Sequence, residues 1–75
     1  MKGANDSDMY HVKITHKDEV VASTYQDLLS DSVDVANRLS YNGCKITIYE
    51  SIKTLCGIED TNTILSWVDD GFSTL

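Results

Sequence analysis

Basic residues are scarce in this 75-residue chain, where six lysines and arginines stand against twelve aspartates and glutamates and the formal net charge is −6. Two long stretches, residues 18–37 and 54–75, contain no lysine or arginine at all. Summed charge governs which partners a protein attracts rather than how it folds. The composition therefore argues against direct binding to nucleic acid and favours a basic partner.

Long apolar runs are also missing, and none approaches the roughly 20 residues that a membrane-spanning helix needs. Residues 1–8 are polar and acidic, which is unlike the basic and then apolar start of a secretory signal peptide. We therefore expect a cytoplasmic protein in which Cys44 and Cys56 are free, buried thiols.

Motifs for catalysis and ligand binding are absent. Cys44 and Cys56 lack the spacing of a C-x-x-C pair or a zinc site, and His11 and His16 have the parity of surface strand residues that point to opposite faces. No serine lies in a G-x-S-x-G turn, and no glycine-rich phosphate loop is present. We expect no enzymatic activity, no cofactor and no metal. A metal- or redox-dependent role for the two cysteines stays open as an alternative.

Alternation of apolar and polar residues predicts strands in the first two thirds of the chain. A β-hairpin is predicted from Tyr10 to Tyr25, and a third strand from Cys44 to Tyr49. Between them an amphipathic helix is predicted from Asp31 to Tyr41, with Ser30 as its N-cap and Asn42-Gly43 as its stop signal.

The last third has mixed signals. Ile52 to Cys56 fits a short helical turn, although a fourth strand is an alternative there. Residues from Thr61 to Gly71 have helical spacing, which predicts a short helix that lays Trp67 over the sheet or into a partner. The fold class is therefore α+β, a small antiparallel β-β-α-β sheet with one amphipathic helix and short C-terminal helical segments.

A flexible tail over residues 1–8 and a single domain over residues 9–75 complete the predicted organisation. So small a domain has a thin core, and a three-stranded sheet leaves an edge with unpaired backbone groups. We therefore expect a homodimer.

Acidic residues are the main candidates for a functional surface. Asp27, Asp31 and Asp34 are spaced at i, i+4 and i+7, which on a helix sets the Cβ atoms of neighbouring members about 5–6 Å apart. That spacing is comparable with the spacing of charges along a nucleic-acid backbone. The predicted contacts are these three residues together with four acids of the C-terminal segment, Glu59, Asp60, Asp69 and Asp70. The competing interpretation is that acids at a helix N-terminus only cap the helix and keep the protein soluble.

The polar tail, the two hairpin segments Tyr10–Ile14 and Val20–Tyr25, the helix from Asp31 and the segment Cys44–Tyr49 together resemble small early proteins of tailed bacteriophages. The resemblance covers most of the chain. It implies a non-enzymatic inhibitor in the host cytoplasm. Such an inhibitor would bind a basic DNA-binding host protein, such as a histone-like HU protein, through a DNA-mimicking surface. The alternative is an adaptor or inhibitor that binds a host enzyme through an apolar patch around Trp67 and Phe72.

Overall fold

A four-stranded antiparallel sheet dominates the computed structural model, which describes residues 9–69. The elements follow the order β1 (Met9–His16), β2 (Glu19–Gln26), α1 (Leu29–Leu39), β3 (Cys44–Thr54) and β4 (Gly57–Val68). In the sheet the strands are ordered β2-β1-β3-β4, so β2 and β4 are the edges. The predicted tail at residues 1–8 and the predicted site residues Asp70 and Phe72 lie outside the described residues.

The predicted C-terminal helix is wrong, and so is the predicted α+β layout that depended on it. Residues 57–68 form β4, which pairs with β3 along its whole length, and the predicted helical turn at Ile52 is the end of β3. The described part of the chain is therefore β-rich, with the order β-β-α-β-β and a single helix.

Two irregularities in the pairing of β3 with β4 explain why the sequence signal was misleading. The register shifts between Ile48 and Tyr49 and again between Glu50 and Ser51, and each shift leaves one extra residue in β4. An extra residue interrupts the period of two. Ile64 and Trp67, three positions apart, consequently both pack against the core, and this spacing is typical of a helix.

The first hairpin lies where the sequence predicts it. The backbone angles of its two turn residues explain how it turns without glycine. Lys17 and Asp18 both have positive φ, 53° and 67°. Two central residues with positive φ match the right-handed twist of the strands they join. This turn sets His11 of β1 opposite Tyr25 of β2.

The core lies between the sheet and α1. Its buried residues alternate along the two central strands, Val12 and Ile14 in β1 with Cys44, Ile46 and Ile48 in β3, and Ala36 of α1 covers them. The helix packs against β1 and β2. It begins two residues earlier than predicted, and Leu28 rather than Ser30 is its N-cap. In the described range 9–69, no helix has both the length and the apolar character that a bilayer crossing requires.

Successive side chains of a strand point to opposite faces of the sheet. The core residues of β1 and β3 define the helix side, and these are Val12, Ile14, Cys44, Ile46 and Ile48. Residues between them point the other way and define the far face, which includes His11 and Lys13 of β1 and Lys45, Tyr49 and Ser51 of β3.

Candidate functional site: a histidine centre on the far face

His11 is a buried, fully hydrogen-bonded polar side chain of the far face. It is only 9% exposed, so the prediction of a surface strand residue is wrong for it. Its cross-strand partners are Tyr25 on one side and Tyr49 on the other. The imidazole stacks on the Tyr25 ring with centroids 4.5 Å apart, and the Tyr49 ring lies at 5.5 Å. Two tyrosines on neighbouring strands therefore hold the orientation of the histidine ring.

Both nitrogens of the imidazole have hydrogen-bond partners. Nδ1 lies 3.1 Å from each carboxylate oxygen of Asp60, and Nε2 lies 2.7 Å from the hydroxyl of Ser23. An ionised carboxylate can only accept, so in the neutral imidazole the proton is on Nδ1 and is donated to Asp60. Nε2 is then the acceptor for the Ser23 hydroxyl.

Asp60 is held by a second hydroxyl. Ser51 donates to its Oδ1 at 2.6 Å. Partial burial raises the pKa of the Asp60 carboxyl, but the hydrogen bonds from Ser51 and His11, and the positive charges of His11 and Lys13, outweigh it, so the pKa lies below its usual range. The carboxylate is therefore ionised at neutral pH and can orient the imidazole.

Strand pairing explains how Asp60 reaches His11 from the edge of the sheet. β4 lies two strands away from β1, which corresponds to roughly 9–10 Å because neighbouring strands are about 4.7–4.9 Å apart. The irregular pairing of β4 sets Asp60 opposite Ser51, which is itself opposite Met9 in β1. Ser51 is small and fully buried, so the carboxylate can pass over it diagonally to His11.

Hydrogen bonds therefore link Asp60, His11 and Ser23 in a series that runs from the edge strand β4 to the edge strand β2. Ser23 is exposed to solvent, whereas the imidazole behind it is buried. A hydroxyl bonded to a histidine that a carboxylate holds in place is the geometry of an activated nucleophile. We call Asp60, His11 and Ser23 the histidine centre.

Three of the predicted contact residues lie around the start of α1. Asp27 is exposed just before the helix, and Asp31 and Asp34 are exposed within it. The row of three on one helical edge is therefore only partly formed, because the helix begins at Leu29. The Asp34 carboxylate also lies 3.2 Å from the Arg38 guanidinium, which partly neutralises it.

The remaining predicted contacts are divided among different places. Glu59 pairs with Ile52, which puts it on the helix side by alternation, and it is exposed. Asp60 instead points to the far face and belongs to the histidine centre. Asp69 lies at the opposite end of the sheet, where it accepts a hydrogen bond from the Ser40 hydroxyl at 3.0 Å.

Sequence reasoning missed one acid that belongs with the first group. Glu50 follows the buried Ile48 by two positions, so it points to the helix side, and Asn62 donates to it at 3.2 Å. It pairs with Tyr10, which is opposite Gln26 at the end of β2. Glu50 is therefore at the end of the sheet from which Asp27 and α1 begin.

The side chains of the alternative predictions lie elsewhere. Trp67 packs against the core, so much of its ring is already covered. Cys44 is buried as expected, but Cys56 is exposed in the turn between β3 and β4, so the prediction of a second buried thiol is wrong; neither forms a disulfide. Within residues 9–69, no three histidine, cysteine or acidic side chains gather as a metal site would require.

The histidine centre could not be found from spacing along the chain, because its residues are 12 and 49 positions apart. The sequence offered one signal, namely that His11, Tyr25 and Tyr49 all lie in predicted strands. That signal becomes informative only when the register of the strands is known. In comparisons with protein-family models, with curated proteins and with solved structures, the chain matched nothing.

Proposed function

We propose that this protein acts by binding a basic, DNA-binding host protein through the carboxylates of its helix side, and that it thereby keeps DNA from that protein. The observation that carries the proposal is the excess of carboxylates over basic side chains on the helix side of the sheet, where Arg38 of α1 is paired with Asp34. Asp31 and Asp34 lie on α1, Asp27 lies just before it, and Glu50 and Glu59 point to the helix side of the sheet; we call these five residues the acidic side. Lys13 and Lys45 point to the far face.

This distribution of charge makes the two faces of the molecule electrostatically different. A basic partner is attracted to the acidic side and repelled by the lysines of the far face, so the two should meet in one orientation. The acidic side lacks Asp60 and Asp69, whose carboxylates are engaged elsewhere. It includes Glu50, which was not among the predicted contacts. The proposed surface therefore differs from the set of acids predicted from the sequence.

Competition with DNA tests the proposal. A histone-like HU protein is bound to a fluorescent DNA duplex, and release of the duplex by this protein is followed by anisotropy. Raising the salt from about 0.01 M to about 0.1 M shortens the screening length from about 30 Å to about 10 Å. We expect the affinity for the HU protein to fall roughly tenfold or more, as for other electrostatically steered encounters.

A matched pair of variants separates the acidic side from net charge. Asp31→Asn with Glu50→Gln, which removes two negative charges as the control does, should abolish release of the duplex. The control removes acids from the first hairpin turn and from its neighbouring strand, Asp18→Asn with Glu19→Gln, at the other end of the sheet. Equal effects of the two sets would show that only net charge matters, and an affinity independent of salt would overturn the proposal.

A homodimer is part of the same proposal. β2 and β4 are edge strands, and edges offer unpaired backbone groups to a second copy. Light scattering coupled to size exclusion should give twice the chain mass of 8.4 kDa. A mass of one chain at micromolar concentration would contradict this part.

A further inference from the structure

We propose that Ser23 is a nucleophile activated by His11 and Asp60, and that it reacts with small carboxylic esters that reach the far face from solvent. The inference does not depend on the proposed partner binding. It rests on the 2.7 Å contact between Nε2 and the Ser23 hydroxyl, on the two 3.1 Å contacts between Nδ1 and Asp60, and on the exposure of Ser23.

The reaction follows from the positions of the protons. Ser23 Oγ attacks the ester carbonyl carbon while its hydroxyl proton moves to His11 Nε2. The carbon–oxygen bond to the leaving alcohol then breaks, and that alcohol takes the proton from Nε2. Water attacks the acyl–serine ester in the same way, with Nε2 first accepting and then returning a proton. One ester and one water therefore give one carboxylic acid and one alcohol, and Ser23 is regenerated.

Each neighbour of Ser23 has a role in this step. The Asp60 carboxylate stabilises the imidazolium that forms when Nε2 accepts the proton. The stacked Tyr25 ring restricts rotation of the imidazole away from Ser23. Asp60 and Tyr25 are positioning residues, since they act through His11.

Lys13 provides positive charge where the reaction develops negative charge. It is the direct cross-strand partner of Ser23. Side chains directly opposite on the same face have Cβ atoms about 4.5–5.5 Å apart. The ammonium group can therefore reach the carbonyl oxygen of an ester bound at Ser23 and stabilise the oxyanion, as preorganised cations do in acyl-transfer sites.

An alkyl fluorophosphonate tests the nucleophile without knowledge of the natural substrate. Serine Oγ displaces fluoride from phosphorus, and the adduct is read by intact mass and located by peptide sequencing in a mass spectrometer. We expect a single adduct on Ser23. Ser23→Ala should abolish it, and Ser66→Ala should not, because Ser66 is an exposed serine of β4 outside the histidine centre.

The rate of labelling tests the roles of the other residues. His11→Gln should slow labelling by about 100-fold, the lower end of general-base effects. Asp60→Asn should slow labelling because the imidazolium formed in the step loses its carboxylate partner, and Asp60→Glu, which keeps a carboxylate, should restore part of the rate. Lys13→Met should give a smaller loss, and circular dichroism monitors the fold of each variant.

Three results would overturn the inference. One is the absence of an adduct on the folded wild-type protein, and another is labelling of Ser66 as fast as of Ser23. The third is an unchanged rate in a folded His11→Gln variant. If that variant unfolds, Lys13→Met and the pair Asp60→Asn and Asp60→Glu decide instead, since a purely structural histidine predicts a labelling rate that does not depend on the charge of either residue.

Discussion

His11 and Asp60 are 49 positions apart in the chain, yet the Nδ1 atom of the imidazole lies 3.1 Å from both carboxylate oxygens of the aspartate. The contact connects a central strand to the edge strand two positions away. Because Ser51 of the intervening strand also donates to Asp60, the three strands share one polar network on the far face. The network should be visible in stability as well as in reactivity.

The first prediction concerns the stability of the fold at low pH. The Asp60 carboxyl has a folded-state pKa below the ordinary value of an aspartate, so protonation favours the unfolded state. Its contribution is present above the unfolded pKa and is lost as pH falls through the folded pKa. Since 37% of the side chain is exposed, solvent screening limits the contribution to about 1 kcal/mol.

Urea unfolding of wild type and Asp60→Asn at a series of pH values checks this prediction. The wild type should be the more stable of the two at about pH 5, and the difference should shrink toward about pH 2. Asp31→Asn is the control, because Asp31 is exposed on α1 and belongs to no such network in the described residues. A wild-type advantage that does not change with pH would show that the carboxylate charge is irrelevant.

The second prediction compares two glycines with positive φ. Gly43 has φ 96° and Gly57 has φ 128°, a region that other residues rarely adopt. A Cβ at Gly43 would also lie 3.2 Å from Nε2 of the His16 ring, whereas nothing lies within 4 Å of a Cβ at Gly57. Gly43→Ala should therefore destabilise by more than the roughly 1 kcal/mol expected from backbone strain alone at Gly57→Ala. Thermal unfolding shows which of the two variants is the less stable. A less stable Gly57→Ala would contradict the crowding at His16.

The third prediction concerns the two thiols. Cys44 is fully buried in the core and Cys56 is exposed in the last hairpin turn. A colourless disulfide reagent that releases a coloured thiol should react with one equivalent in the native protein and with a second only after denaturation. Cys56→Ser should abolish the fast phase and leave the slow one. Two equally fast equivalents in native protein would mean that β3 opens readily around Cys44.

Residues with a regular pattern were predictable. Val12, Ile14, Ile46 and Ile48 alternate with polar residues, and each lies in a strand with its side chain in the core. The helix was predictable from the spacing of its apolar residues. Its start was not, because Leu28 rather than a polar side chain is the N-cap. The C-terminal segment was misread because the extra residues in β4 gave Ile64 and Trp67 the spacing of a helix.

The candidate site was predictable only in part, for a related reason. Charge counts identified the acids, but not the face to which each one points. Asp60 and Glu59 are neighbours in sequence, yet one belongs to the histidine centre and the other to the acidic side. A single shift of register exchanges the two faces of a strand, and no local pattern records such a shift.

The sequence by itself determined the negative charge, the first hairpin, the helix and the apolar residues of the core, because these properties depend on composition and on spacing within one segment. Only the tertiary structure decided that Ser23, His11 and Asp60 meet, and that Lys13 and Lys45 point to the face opposite Glu50 and Glu59. Those outcomes depend on the pairing of distant strands, and the irregular register of β4 fixes which side chains become neighbours.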